Sequence, residues 1–203
     1  MTTPVLVPIV EGYSEVQSVP VLLRRLLTEW SRYEVAIVKP VRVSRYKVVR
    51  PGELERACEL ARRRPTGCDA ILLVLDADDD CPKELAPALL ERARRASADI
   101  PAAVVLAKSE FEAWFLGSLE SLRGVRGLAE TAVSPDRAED IRDAKGYLSS
   151  QMTGGRTYVE VDDQPALTNR FDLQSARQRC PSFDKFIRDV ESLVTDLDQR
   201  FVN

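Results

Sequence analysis

Histidine is absent from the 203 residues of the chain. Without an imidazole the chain cannot use Ser-His-Asp or Cys-His catalysis, and it cannot form the usual zinc hydrolase sites. Carboxylates, lysines and backbone groups would have to carry any acid–base or metal chemistry. The search for a site therefore concentrates on clusters of aspartate and glutamate.

Other absences narrow the class of protein further. The four cysteines, at positions 58, 68, 81 and 180, show neither a C-x-x-C pair nor a disulfide-rich spacing, which is typical of reduced thiols in a cytosolic protein. No basic leader precedes the apolar run Val5–Val10, which is too short for a signal peptide core or a membrane span. We therefore expect a cytoplasmic protein without a membrane association. The chain also lacks a G-x-x-x-x-G-K-[ST] loop, which argues against ATP hydrolysis.

The most informative stretch is an apolar run that ends abruptly in carboxylates. Residues 71–75 are apolar, and aspartates follow at positions 76, 78, 79 and 80. The run predicts a buried strand that ends at the carboxyl edge of a parallel sheet, where open α/β sheets hold their sites. In extended chain Asp76 and Asp78 would project to the same side, and their repulsion, roughly 4 kcal/mol at about 4 Å, would favour a bound cation. Alternatively, the aspartates cap a helix that starts at Pro82.

A second acidic turn follows the first predicted strand. Val5–Val10 ends in Glu11, after which Ser14 and Gln17 predict a capping box at the start of an amphipathic helix. Pro20 falls inside that helix and should kink or restart it. The order of strand, acidic turn and helix is the same as at the aspartate-rich loop.

The alternation of patterns predicts an α/β fold. Four strands are predicted at residues 5–10, 34–43, 71–76 and 101–107, between helices that include residues 51–64 and 82–98. This order indicates a Rossmann-like, mostly parallel sheet of about four strands flanked by helices. No further buried strand is predicted after Gly127, so residues 1–127 are assigned to an α/β domain and residues 128–203 to a mainly helical extension packed on it. In the extension we expect a helix from Ser134 to about residue 150, a short strand at 157–161, and an amphipathic helix capped by Ser182.

Several short motifs resemble known families. Glu11-Gly12-x-x-Glu15 after the first strand and Asp76-x-Asp78 after the third are similar to the signature of the toprim domain, found in primases, topoisomerases and overcoming-lysogenisation-defect nucleases. Nearly the whole chain resembles the bacterial toprim-like family catalogued as domain of unknown function 4276. The motifs that carry this closer resemblance are Val10-Glu11-Gly12-x-Ser14-Glu15, Glu110-x-Glu112-Ala113-Trp114-Phe115 and Ser182-Phe183-x-Lys185-Phe186.

The resemblance implies roles for the acidic residues. Glu11 would be the general acid or base or a shared metal ligand, and Asp76 and Asp78 would hold Mg²⁺ or Mn²⁺, with Asp80 as a third ligand. An open carboxylate cluster suits Mg²⁺ in phosphoryl chemistry, because the ion is completed by water and substrate phosphates. Hydrolysis of a phosphodiester bond is the most economical activity, since primases and topoisomerases need further domains. Relatives encoded beside ATPases also suggest a partner ATPase and a role in phage defence.

Four further charged residues near the predicted strand ends are candidates for the site. Glu15 is a second catalytic candidate, although an acid in a first helical turn is also favoured by the helix dipole. Lys108 could contact a phosphate or could be an ordinary solvated lysine. Glu112 could be a metal ligand, but three residues after Ser109 it is placed to close a capping box. Glu110, which precedes the aromatic face, is the better of the two for binding substrate.

A basic strip offers a candidate nucleic-acid contact. With a net charge of −3, the chain needs a local patch to attract a polyanion. Residues 36–51 contain no acidic residue. Their basic residues lie on both sides of Tyr46 in the sequence and are Lys39, Arg42, Arg45, Lys47 and Arg50. Of these, Arg42, Arg45 and Lys47 are the predicted substrate contacts. They would neutralise phosphates while a nucleobase stacks on the Tyr46 ring. The alternative is an edge strand protected by charge.

Two functions therefore remain open. One is a Mg²⁺- or Mn²⁺-dependent nuclease of undetermined substrate, whether DNA, RNA or a smaller phosphate ester. The other is a toprim module without catalysis that acts as a scaffold or binds nucleic acid.

Overall fold

A computed structural model describes residues 3–201 and shows an α/β fold with a parallel sheet. The strands are β1 (Val5–Val10), β2 (Ala36–Ile37), β3 (Val41–Arg42), β4 (Ala70–Asp76) and β5 (Ala102–Ala107). Their order is β2-β1-β4-β5, with β3 also paired to β1, and every pairing is parallel. The predicted fold class is confirmed.

The predicted second strand, residues 34–43, is split in two by prolines. Its halves β2 and β3 pair with the first and last residues of β1, and the gap between them lies opposite Pro8. Pro8 has no N–H to donate toward that side, and Pro40 interrupts the partner strand in the same region. On its other side β1 pairs with β4 without interruption, including Pro8 with Leu72. Pro8 thus interrupts the pairing of β1 on one side and leaves the pairing on the other side intact.

The sheet changes direction between β1 and β4. From β1 the chain moves outward to β2 and β3, whereas from β4 it moves the opposite way to β5. In open α/β sheets this reversal leaves a crevice at the carboxyl ends of the two strands, where ligands bind. Val10 of β1 is level with Val74 of β4, so the residues that follow both strands meet in that crevice.

Helices cover both faces of the sheet. They are α1 (Glu15–Glu29), α2 (Arg45–Val48), α3 (Glu53–Arg62), α4 (Pro82–Ser97), α5 (Ala113–Leu116), α6 (Ala144–Ser150), α7 (Glu160–Thr168), α8 (Leu173–Arg179) and α9 (Pro181–Phe201), with 3₁₀ turns at Leu119–Leu122, Val125–Gly127 and Ala138–Asp140. Side chains alternate along each strand, so Leu72 and Val74 join the core with α1 and α9, whereas Ile71 and Leu73 pack on α3 and α4. Each strand is therefore apolar on both faces, which explains the uninterrupted runs.

The C-terminal part differs in detail from the prediction. Residues 157–161 do not form a strand, because α7 begins at Glu160. The helix predicted from Ser134 to about residue 150 is a 3₁₀ turn at Ala138–Asp140 followed by α6. A domain boundary at residue 127 stays a prediction, and residues 1–2 and 202–203 of the two predicted domains lie outside the described residues.

The serines predicted to cap two helices bond to distant residues instead. Ser14 makes no capping bond, because its hydroxyl donates to the carboxylate of Glu160. Ser182 lies inside α9 instead of capping it, and its hydroxyl accepts a bond from Trp114 Nε1 at 2.8 Å and donates to Glu139 at 2.5 Å. Helix α1 continues through Pro20 without a restart. Between residues 3 and 201, every helix is too short or too polar to cross a lipid bilayer.

Candidate active site

Glu11 and Asp76 meet at the reversal point of the sheet. A carboxylate oxygen of Glu11 accepts a hydrogen bond from the backbone N–H of Asp76 at 3.3 Å. Asp76, the last residue of β4, is buried, and its Oδ1 accepts from the backbone N–H of Phe111 at 2.7 Å. The even-numbered side chains of β4 face α1, so Asp76 points toward that layer and toward Glu11. Acids 65 positions apart in sequence are thus brought together by neighbouring parallel strands.

The aspartates after β4 point in different directions. The strand ends at Asp76, and Asp78 has a left-handed backbone with φ of 50° whose N–H donates to Ser109 O at 3.0 Å. The premise that extended chain aligns Asp76 with Asp78 is therefore wrong, although Asp78 still lies near enough to act on Glu11. Asp80 forms an ion pair with Arg45. Of the predicted metal ligands, the structure brings Glu11 and Asp76 together, leaves Asp78 near Glu11, and pairs Asp80 with Arg45.

The charges at this edge are poorly compensated. Burial, with the nearby charges of Glu15 and Asp78, raises the pKa of Glu11 from 4.5 to about 7. Burial raises the pKa of Asp76 well above its ordinary value, and Glu112, Glu11 and Glu15 raise it further. Such mutual destabilisation of carboxylates is common at functional sites and is relieved by a proton or a cation.

Glu15 lies inside this cluster, and its carboxylate folds over Gly12. A Cβ on Gly12 would lie only 2.1 Å from a carboxylate oxygen of Glu15. The end of the flexible Glu15 side chain thus folds over Gly12 and occupies the space that a side chain at position 12 would take. The same oxygen is buried without a hydrogen-bond partner, and burial and the charge of Glu160 raise the pKa of Glu15. We name Glu11, Glu15, Asp76 and Glu112 the acid cluster.

Glu112 is a buried member of this cluster. Its Oε1 accepts from Tyr158 Oη at 2.8 Å and from Gln164 Nε2 at 3.1 Å. The predicted capping box is wrong, since no side chain caps α5 and Glu112 is fully buried. An acid between Phe111 and the apolar residues that follow was a sequence signal of burial that the capping interpretation missed.

Lys145 forms an ion pair with the acid cluster. Its ammonium lies 3.0 Å from Glu110, 3.4 Å from Glu112 and 3.5 Å from Glu160. Burial alone would lower its pKa, but Glu112 and the other carboxylates raise it overall, so Lys145 stays charged. Glu110 also accepts from the backbone N–H of Ala144 at 2.8 Å and so holds the start of α6, which leaves its predicted contact with substrate a prediction.

The basic strip lies beside the acids. Arg42 donates to the backbone oxygen of Glu11 at 3.4 Å, and Arg45 donates from Nε to the backbone oxygen of Asp76 at 3.0 Å. Lys47 is exposed on α2. All three predicted substrate contacts therefore follow or end β3, at the same edge as Glu11. Since β3 also occupies an outer position of the sheet, the protective-edge interpretation stays open.

Lys108 is the predicted residue that the structure places apart. It follows β5 and lines a groove of about 680 Å³ with Lys83, Lys185 and Glu139. Its backbone N–H donates to Ser182 Oγ at 3.2 Å. In the described chain no hydrogen bond or ion pair joins Lys108 to the acid cluster.

The residues fit an open metal site but not a closed one. Within residues 3–201, no three acidic or cysteine side chains form a ready-made metal cage. Glu11 and Asp76 nevertheless lie close together, and both have raised pKa values. The Glu15 oxygen that has no hydrogen-bond partner lies beside them. Mg²⁺ is commonly held by one or two carboxylates, with water and phosphate oxygens completing its shell. Asp76 and Asp78 are the residues that would hold Mg²⁺ or Mn²⁺ here, and Glu11 beside them would act either as the general acid or base or as a shared ligand.

Comparison with known proteins identifies a family without assigning a role. No curated protein and no solved structure shows a significant match. The family model described as Domain of unknown function (DUF4276) matches residues 10–191, which include Glu11 and α9 up to its middle. The chain therefore belongs to the family Domain of unknown function (DUF4276).

Proposed function

We propose that the chain is a toprim-type phosphodiester hydrolase that acts on nucleic acid with Mg²⁺ or Mn²⁺. The observation that carries this proposal is the meeting of Glu11 with Asp76 at the reversal point of the sheet, where burial and neighbouring acids raise the pKa of Glu11 to about 7. A base with a pKa near the working pH is the most effective one, because it is ionised and still binds a proton well.

The reaction assigned to this edge is hydrolysis of a phosphate diester. Glu11 takes a proton from a water molecule, the water oxygen bonds to phosphorus, and the bond from phosphorus to the leaving sugar oxygen breaks, with solvent returning a proton to that oxygen. Arg42 and Arg45 lie beside the acids and pair with phosphate oxygens. A bound divalent ion supplies charge neutralisation on the phosphate and a lower pKa for the water.

The cellular setting belongs to the same proposal. We place the protein in the cytoplasm, in keeping with its free cysteines. A partner ATPase and a role in phage defence follow from the family resemblance, and the chain itself has no loop that cradles ATP phosphates.

The test is cleavage of single- and double-stranded DNA and RNA in each metal, with Glu11→Gln, Asp76→Asn and Asp78→Asn variants. We expect Glu11→Gln to slow cleavage by about 100- to 10,000-fold, the usual contribution of a general base. Asp79→Asn is the matched control, because Asp79 lies in the same loop but is exposed and paired with Arg142. Cleavage that persists unchanged in the Asp76→Asn, Asp78→Asn double variant would show that the activity belongs elsewhere.

A second function, a scaffold or nucleic-acid-binding module without catalysis, is favoured by one observation. The acids already have internal partners: Arg45 pairs with Asp80, and Lys145 lies at 3.4 Å from Glu112. Calorimetry with Mn²⁺ distinguishes the two functions. Uptake that is lost in the Asp76→Asn, Asp78→Asn double variant supports the hydrolase, whereas no uptake at millimolar Mn²⁺, with or without nucleic acid, supports the scaffold.

A further inference from the structure

Two tyrosines near the acid cluster are exposed in the same unusual way. The exposed fraction is 70% for Tyr13 and 68% for Tyr46. An arginine covers one face of each ring: the guanidinium carbon of Arg42 lies 4.0 Å from the Tyr13 ring centre, and that of Arg50 lies 3.8 Å from the Tyr46 ring centre. With so much of each ring exposed, the opposite face is open to solvent. We name these two sets the tyrosine–arginine pairs.

Both pairs lie near the carboxyl edge of the sheet, where Glu11 and Asp76 meet. Arg42 donates to Tyr13 Oη at 3.3 Å and to the backbone oxygen of Glu11 at 3.4 Å. Tyr46 directly follows Arg45, whose Nε donates to the backbone oxygen of Asp76 at 3.0 Å. Tyr13 therefore lies beside the acid cluster, and Tyr46 lies on α2, next in the chain to an arginine that contacts Asp76.

We infer that the tyrosine–arginine pairs form a binding site for single-stranded nucleic acid. An open aromatic face can stack with an unpaired nucleobase of any identity. The nearby basic side chains of Arg42, Lys47 and Arg50 neutralise the phosphates. A base inside a duplex is stacked on its neighbours on both sides and has no free face to offer. This site would deliver an unpaired strand to the acid cluster, and its role as a substrate site rests on the proposed function.

The chain contains a natural control. Tyr33 is 75% exposed, so it matches the other two rings in exposure, but it lies just before β2 at the opposite, amino edge of the sheet. Among the described residues no arginine lies over its ring. A tyrosine that is merely exposed should therefore contribute nothing to binding.

The experiment measures binding without cleavage. Fluorescence anisotropy in EDTA compares a labelled oligothymidine, an oligouridine, a duplex of equal length, and an abasic deoxyribose-phosphate oligomer that has the charge but no bases. We expect the unaltered protein to bind both single strands more tightly than the duplex. Tyr13→Ala and Tyr46→Ala should each weaken single-strand binding by roughly 5- to 150-fold, which corresponds to the loss of one stacked base.

The controls separate stacking from charge and from misfolding. Tyr13→Phe and Tyr46→Phe keep the ring and should retain most of the affinity, and Tyr33→Ala should leave it unchanged. Binding of the abasic oligomer should not respond to any tyrosine variant. Duplex binding as tight as single-strand binding, or equal losses for abasic and base-bearing oligomers, would overturn the inference.

The outcome is independent of whether the chain cuts nucleic acid. Single-strand binding that depends on both tyrosines, without cleavage in any metal, would support this site and remove the hydrolase proposal. Cleavage that is indifferent to Tyr13 and Tyr46 would leave the hydrolase standing and refute the site. The DNA and RNA arms reveal which sugar is preferred, and a preference for either one agrees with the inference.

Discussion

The pKa values of carboxyl groups are shifted in opposite directions on the two faces of the sheet. In the acid cluster, burial and like charges raise the pKa of Glu11 to about 7. On the other face, between α3 and α4, Arg92 donates to both oxygens of Glu55, at 2.8 and 2.9 Å, and lowers the pKa of that carboxyl to about 2. One environment opposes ionisation and the other favours it.

The difference separates a structural pair from a candidate site. Arg92 also donates to the backbone oxygens of Val49 and Arg50, so it joins α4 to the loop before α3 and has a clear role in holding the fold. The members of the acid cluster repel one another, and Lys145, which pairs with Glu112, offsets that repulsion only in part. Groups that lower stability in this way are expected where function requires them.

The largest effect should follow from removing the cation of the cluster. We predict that Lys145→Met lowers the free energy of unfolding by about 3–5 kcal/mol at pH 8, because it leaves the fully buried Glu112 without its countercharge. The loss should shrink as the pH falls, because burial raises the pKa of Glu112 and a bound proton then removes its charge. Urea unfolding at pH 8 and at pH 5 measures this. Lys83→Met, at an exposed lysine on α4, is the control, and an equal loss there would contradict the role assigned to Lys145.

A smaller effect of opposite sign is expected for Glu11→Gln. The folded-state pKa of about 7 lies above the ordinary 4.5, so the folded protein holds an extra proton between these values and loses stability as the pH rises through them. At pH 8 the substitution removes a penalty of about 3 kcal/mol, since each pKa unit is worth about 1.4 kcal/mol. We therefore expect the variant to be more stable than the unaltered protein at pH 8 and similar to it at pH 4.

Unfolding by urea in EDTA tests that sign, because a bound cation would mask it. Glu91→Gln is a suitable control, since Glu91 and its partner Arg95 are each 70% exposed. A Glu11→Gln variant that is less stable than the unaltered protein at pH 8 would mean that the acids at this edge are compensated after all.

The fold was predictable from sequence because its signals are local. The strands β1, β4 and β5 lie within one residue of their predicted bounds, since an apolar run buried on both faces needs no knowledge of its neighbours. The start of the helix after β1 was also predicted, but its capping box was not formed, because Ser14 bonds instead to Glu160, 146 positions away. Capping patterns in sequence compete with partners that only the fold brings close.

The site was predictable only in part, for the same reason. Glu11 and Asp76 each follow a strand, and parallel strands place such residues at one edge. Lys145 carries no such signal: it follows no strand, and its partner Glu112 is 33 positions away in a segment of irregular structure. Tyr13 was missed because a single exposed aromatic means nothing until Arg42, 29 positions later, is found over its ring.

The pair on the other face should respond to pH in the reverse direction. The pKa of Glu55, lowered to about 2, gives stability that is present above 4.5 and is lost as the pH falls from 4.5 toward 2. Because the carboxyl side chain is 38% exposed, we discount the value and expect Glu55→Gln to cost about 1 kcal/mol at pH 7. The difference from the unaltered protein should vanish near pH 2. Increased stability at pH 7 would refute the contrast with Glu11.

The smallest effect is expected in the acidic loop itself. Asp79 and Arg142 form an ion pair at 2.8 Å, but their side chains are 87% and 84% exposed. We predict that Asp79→Asn changes the free energy of unfolding by less than about 0.5 kcal/mol at any pH between 5 and 8. Asp79 is only three positions from Asp76, so this variant tests whether burial or mere position in an acidic stretch sets the behaviour of these carboxylates. A pH-dependent gain like that expected for Glu11→Gln would show that the whole loop repels, and the acid cluster would lose its distinction from its surroundings.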